Sequence, residues 1–173
     1  MTAAILCPGP SLTRSWLHPW SPYALTIAVN RALATYPLAD WLSAGDGETL
    51  TWCEERRLQP VKGVVTFQSE IPFWKPHWAS RLEWVAWESF APSIANAFVF
   101  NWSLQAAMLL AWRLKHTDME IYGHDCRGDR YSDGTACIQK NWEELAQQTL
   151  DCMHWLADRN CKIRLIRPLE GTP

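Results

Sequence analysis

Five short polar or glycine-bearing segments hold the side chains with chemistry to offer: Cys7 to Ser11, Asn30, Gly45-Asp46-Gly47, Asn101 to Ser103, and Gly123 to Asp125. In the first, Gly9 and Pro10 lead into Ser11. A glycine just before a helix start lets backbone approach a ligand, and the free N–H groups of a helix N-terminus suit a phosphate. No Gly-Lys-Ser/Thr follows, so this is not a P-loop, and Gly9 stands alone rather than in G-x-G-x-x-G. The same residues also read as a tight strand-to-helix turn with a serine cap. Asn30 offers paired donor and acceptor groups to a base or ribose, or else caps a helix. Asp46 and Asp125 each close a strand. On neighbouring strands they could share a Mg²⁺ that carries substrate phosphates; otherwise each caps its own loop.

Asp125 is the stronger of the two aspartates, because Gly123-His124-Asp125 opens a long loop reaching Cys137. That loop also carries Arg127 and Arg130, whose forked guanidinium groups grip phosphate, and a charged loop over strand ends could close on a ligand. A solvated surface loop is the alternative. The unperturbed pKa of an imidazole lies near neutrality, so His124 could act as a general base or acid, or else serve as a hydrogen-bonded structural histidine. Between Ser69 and Ser93 lies a stretch rich in Trp and Pro. Its rings could stack a flat acceptor, but most are expected to complete the core. Trp74 and Trp78, flanked by Pro and Lys75, are the ones expected to be exposed.

The elements that must position these residues alternate. Apolar runs at Ala3–Cys7, Ala24–Val29, Asp40–Ala44, Val61–Phe67 and Met119–Tyr122 read as strands, with short strands also expected at Leu82–Trp87 and Ala97–Phe100. Helices are expected at Ser11–Leu17, Asn30–Tyr36 (short), Glu48–Leu58, Leu104–Leu114 and Lys140–Arg159, with Asn101 or Ser103 capping the fourth. Cys161, Ile163 and Leu165 alternate with Lys162 and Arg164, the pattern of a sheet-edge strand. Strands separated by helices pair in parallel through right-handed crossovers. The predicted fold is α/β, a three-layer α/β/α sandwich on a mostly parallel sheet. Residues 1–173 form a single domain, with an irregular Trp/Pro-rich insertion at about 69–93.

Composition narrows the function classes. The 173 residues include 16 basic and 18 acidic side chains, a net charge of -2, so there is no strong nucleic-acid signal. No apolar run approaches the roughly 18 residues of a membrane span. Ala3–Cys7 is too short, and lacks a basic leader, for a signal peptide, so a cytoplasmic protein is expected, with no membrane partner. The six cysteines and five histidines show no zinc spacing, and the thiols are expected to be free and packed as small apolar groups.

Cys7-Pro8-Gly9-Pro10-Ser11-Leu12, Ala28-Val29-Asn30-Arg31-Ala32, Gly45-Asp46, Asn101-Trp102-Ser103 and Ile121-Tyr122-Gly123-His124-Asp125 occur in the order found in one superfamily. The chain resembles 6-hydroxymethylpterin diphosphokinase-like proteins and bacterial CMP-sialic-acid sialyltransferases, a group with many uncharacterised bacterial and phage members. The resemblance implies a Rossmann-like domain that binds a nucleotide, either ATP or a nucleotide sugar. Gly9, Pro10, Ser11 and Asn30 would hold it, with Ser103 near its phosphates. In the diphosphokinase version Asp46 and Asp125 would serve Mg²⁺ and ATP. Cys7 replaces the first glycine of the opening motif, and Asn101-Trp102-Ser103 replaces a Ser-Gly. The loop from Gly128 to Gln139 lacks the histidine found there in the sialyltransferases, so His124 would have to substitute. The function expected is a nucleotide-dependent transferase with a small-molecule substrate, diphosphokinase-like first and glycosyltransferase-like second. A non-catalytic nucleotide- or partner-binding protein, such as a phage would encode, is the third reading. A homo-oligomer is left open.

Overall fold

A computed structural model describes residues 1–9, 11–12, 23–125 and 141–166. The expected helix at Ser11–Leu17 and most of the loop from Gly123 to Cys137 lie outside these residues. So do Pro10, Arg127 and Arg130.

Seven strands form one sheet: β1 (Thr2–Leu6), β2 (Leu25–Val29), β3 (Trp41–Ser43), β4 (Gly63–Thr66), β5 (Glu83–Ala86), β6 (Asp118–Tyr122) and β7 (Lys162–Ile166). Their order is β5-β4-β3-β2-β1-β6-β7, and every pair is parallel. β1 and β2 are buried on both faces, as helices on both sides of a parallel sheet require. Their side chains divide by alternation. Ala3, Ile5 and Cys7 join one core cluster, and Ala4 and Leu6 join the other.

The first face is covered by α5 (Ser103–Arg113) and α6 (Trp142–Ala157), which brings Cys152, Trp155 and Leu156 inward. The second is covered by α1 (Ala32–Thr35), α2 (Gly47–Glu55) and α3 (Ile71–Trp74). A short helix, α4 (Ala91–Ile94), follows a 3-10 turn at Trp87–Phe90. The architecture is the expected α/β/α Rossmann-like sandwich. No helix among the described residues is long and apolar enough to cross a membrane. Cys7, Cys53, Cys152 and Cys161 are buried.

Three local expectations fail. Ala97–Phe100 forms no strand; Gln105 Nε2 donates to the Val99 carbonyl at 2.7 Å, so that backbone group serves α5 instead of a ladder. The residue at the N-cap of α5 is Trp102, rather than Asn101 or Ser103. Its backbone N–H and that of Asn101 both donate to Gln105 Oε1 at 3.1 Å, so the helix is closed from within by a fully buried amide. Trp74 and Trp78, expected outside, are only 5% and 4% exposed, while Phe73 is 61% exposed. Trp74 Nε1 donates to Glu70 Oε2 at 2.9 Å, and Trp78 packs on Trp84 with centroids 5.7 Å apart. A tryptophan with a partner for its N–H, or a ring to pack on, gains more by burial than its polar flanks lose.

Candidate functional site

Strands β2 to β5 run off one side of β1, and β6 and β7 off the other. The chain leaving β1 passes to the second face, where Leu12 packs. The chain leaving β6 leads to α6 on the first face. The two exits diverge at the carboxyl ends of neighbouring strands, a topological switch point and the usual place for a ligand in an open α/β sheet.

Two glycines bring these exits into contact. Cys7 N–H donates to the Tyr122 carbonyl at 2.8 Å and Gly9 N–H to the Gly123 carbonyl at 2.9 Å, extending the β1–β6 ladder past the strands. A Cβ at Gly9 would collide with the Gly123 carbonyl and with Asp125 Oδ2. Gly123 has a φ of 68°, and a Cβ there would collide with the Cys7 carbonyl. Only glycine satisfies both requirements at that position.

Asp125 then reaches across the gap. Ser11 N–H donates to Asp125 Oδ2 at 2.7 Å, and Ser11 Oγ donates to Oδ1. The turn after β1 does accept an anion, but the anion is the protein's own carboxylate. The Ser11 hydroxyl points to a partner 114 residues away. A carboxylate has about four lone-pair sites, so two remain on Asp125.

Next to β1, Asn30 ends β2 with a φ of 50°. Its N–H donates to the Ser43 carbonyl at 2.9 Å, and its Oδ1 is buried without a partner. Arg31 follows at once. Its guanidinium lies 5.1 Å from the Trp52 ring centroid, and Nη2 is 3.5 Å from Glu48 Oε1. Beneath it the Cys53 thiol is pushed up to about 12, by burial above all and against the pull of Arg31, so it is an inert thiol.

Asp46 ends the segment after β3 and caps α2, with Oδ1 accepting from Thr49 N–H at 2.6 Å. Between β3 and β6 lie β2 and β1. At about 4.8 Å per strand the two strand ends are on the order of 14 Å apart. A Mg²⁺ held at about 2.1 Å from each ligand does not bridge that gap, so the pairing of Asp46 with Asp125 on one metal is corrected. No group of three His, Cys, Asp or Glu side chains among the described residues is placed to hold a metal.

Ser103 sits over the end of β3. Ser43 Oγ donates to the Ser103 carbonyl at 2.7 Å, and Gly45 N–H donates to Ser103 Oγ at 3.2 Å. The Trp87 ring lies against Gly45, where a Cβ would come within 2.9 Å of Cζ2.

Gly9, Ser11 and Asp125 therefore meet directly. Asn30 stands one strand away, while Asp46 and Ser103 stand two further along the same edge, counted from β1. His124 precedes Asp125 at the switch point. Sequence reasoning passed over Gly123 as a contact residue.

No family model and no curated protein matches this chain. Among solved structures it is similar to a probable thiamine pyrophosphokinase from Staphylococcus saprophyticus subsp. saprophyticus, with 16% identity and a TM-score of 0.45 over 96% of this chain. The chain covers 65% of that protein's length.

Below Gly123, β6 is anchored by a polar network on the second face. Tyr23 and Tyr122 each direct a hydroxyl to Glu120 Oε2, which brings the two hydroxyl oxygens together, and Arg164 pairs with Glu120 Oε1 at 2.6 Å. Burial alone would push the Glu120 carboxyl up, but the two hydroxyls and the Arg164 guanidinium together hold it below the usual carboxylate range. Burial, then the bonds to Tyr23 and Glu120, push the Tyr122 phenol up. The network keeps the end of β6 in register where the crevice begins.

Proposed function

We propose that this chain binds a nucleotide along the carboxyl edge of β1, β2 and β3 and transfers a diphosphate group from it to a small hydroxyl-bearing substrate. The observation that carries this reading is the switch point itself. Gly9 and Gly123 close the approach of β1 and β6, and Asp125 is held rigidly beside His124 at the mouth. The motif order shared with 6-hydroxymethylpterin diphosphokinase-like proteins supports the same reading.

In this reading the Asn30 side chain, whose buried Oδ1 lacks a partner, turns outward to accept a hydrogen bond from the base or ribose. His124 takes the proton of the substrate hydroxyl as its oxygen attacks the β-phosphorus. The bond from that phosphorus to the bridging oxygen breaks, and the nucleoside monophosphate leaves. Asp125, whose carboxylate has lone-pair sites beyond those used by Ser11, would hold one Mg²⁺. When bound, that ion would spread the charge on the phosphates. Asp46 is too far along the edge to share it.

Calorimetric titration of the purified chain with ATP, CMP and UDP-sugars, with and without Mg²⁺, tests this. ATP should bind, and Mg²⁺ should tighten it. Unchanged ATP affinity with Mg²⁺ would remove the diphosphokinase version. A preference for a nucleotide sugar would favour glycosyl transfer, and no binding of any nucleotide would leave a non-catalytic partner-binding protein.

A further inference from the structure

We propose that a hollow at the amino-terminal edge of the sheet binds a small zwitterion with an apolar tail, chemically an apolar α-amino acid. The hollow has a volume of about 530 Å³, inside the range of roughly 300–1,000 Å³ usual for ligand pockets. Leu25, Trp41 and Glu83 begin β2, β3 and β5 there, and Lys62 stands just before β4. The candidate nucleotide site lies at the other end of these strands, on the order of 16 Å away across the five residues of β2. The two sites are therefore independent, and so are the two readings.

The charges of the lining select the ligand. Lys62 is already committed, with Nζ 2.9 Å from Asp40 Oδ1. Arg81 and Glu83 are exposed and line the same hollow, yet among the described residues neither makes an ion pair, even with the other. A simple anion would meet Glu83, and a simple cation would meet Arg81. A ligand carrying both charges answers both, with its carboxylate on the Arg81 fork and its ammonium donating to Glu83. The His116 ring, whose buried Nδ1 has no partner, needs only to rotate to offer one more hydrogen bond. The frame is set beforehand: Glu83 N–H donates to the Lys62 carbonyl at 2.9 Å, and Lys62 N–H to the Asp40 carbonyl at 2.7 Å. A preformed frame lowers the ordering cost of binding.

The apolar tail follows from the rest of the lining. Val61 and Leu114 are 46% and 40% exposed, among the few large apolar side chains left in water, and both border this hollow. Trp41 and Leu25 line it from the core. An aliphatic or aromatic side chain laid between them removes that apolar surface from water.

Titration calorimetry on the purified chain tests this with L-leucine and L-phenylalanine, against glycine, 3-phenylpropionate and phenethylamine. The two amino acids should bind, and each compound lacking the tail, the ammonium or the carboxylate should bind about ten-fold or more weakly. Arg81→Gln and Glu83→Gln should each weaken phenylalanine by about the same factor. Glu83→Gln should also tighten 3-phenylpropionate, because it removes the repelling carboxylate. Circular dichroism and Tm check the fold of both variants, whose altered side chains are exposed. The proposal is overturned if the wild type binds neither amino acid, if 3-phenylpropionate binds as tightly as phenylalanine, or if both variants bind phenylalanine as the wild type does. None of these results touches the nucleotide reading.

Discussion

The two ends of the carboxyl edge are built on opposite plans. At the β1–β6 junction, small residues bring backbone against backbone, and the donors of the β1 turn find named acceptors: Gly9 to Gly123, Ser11 to Asp125. At the β4–β5 end, large rings fill space and two buried polar atoms go without a partner. Trp87 packs on Phe67 at 4.4 Å and stacks with Phe100 at 5.6 Å, yet its Nε1 has no partner, and neither does Thr66 Oγ1 nearby on β4. One end is specified by polar pairing and the other by shape. The candidate site lies at the end where geometry is most strictly set, as a site that must hold reacting groups in place requires.

The contrast breaks most visibly at the aromatic end. Trp87→Ala should cost about 3–5 kcal/mol through the cavity it leaves. At about 2–4 °C per kcal/mol for a chain of this size, calorimetry would see Tm fall by roughly 6–20 °C. Trp87→Phe should cost less than half as much, because no hydrogen bond is lost. An equal loss in both variants would mean that the indole N–H does have a partner.

Gly123→Ala comes next. It places a Cβ against the Cys7 carbonyl in a left-handed conformation, and should cost about 3 kcal/mol or more by denaturant titration. Tolerance of alanine there would undo the account of the junction. Asp125→Asn should cost about 1.5–3 kcal/mol, since an amide cannot accept from both Ser11 donors as a carboxylate does. A double-mutant cycle with Ser11→Ala should show coupling, and additive losses would separate the two residues. Turnover, where assayed, should vanish in Asp125→Asn.

The smallest effect concerns acid. The Glu120 carboxyl is held below its unfolded value, so its contribution is present above the unfolded pKa of about 4.3 and is lost as pH falls through the lower folded value. Glu120→Gln should therefore flatten the stability profile below about pH 4.3. A profile identical to the wild type would show that the Tyr23–Tyr122–Arg164 network does not bias that titration.

Most strands were legible because their apolar runs carry the pattern locally. β1, β2 and β6 stand out as short buried stretches, and the alternation of β7 marks it as an edge. Features that depend on partners distant in sequence were not legible. Nothing near Ser11 announces Asp125, and nothing near Asp46 reveals that two strands separate it from Asp125. The cap of α5 was misread because Gln105 acts backwards from inside the helix. The exposure of Trp74 and Trp78 was misjudged because flanking proline and lysine report on the backbone path, while Glu70 and Trp84 decide where the rings go.

The placement of β1 has a consequence for biosynthesis. Of the seven described strands it leaves the ribosome before the rest, yet one of its flanks pairs with β6, where Thr2 meets Asp118. Until that partner emerges, a nascent chain that has assembled β1 to β5 exposes an unpaired apolar strand edge, a template for mispairing with other chains. Fragments ending short of β6 should therefore aggregate, and slow translation through the segment before β6 would prolong the exposure.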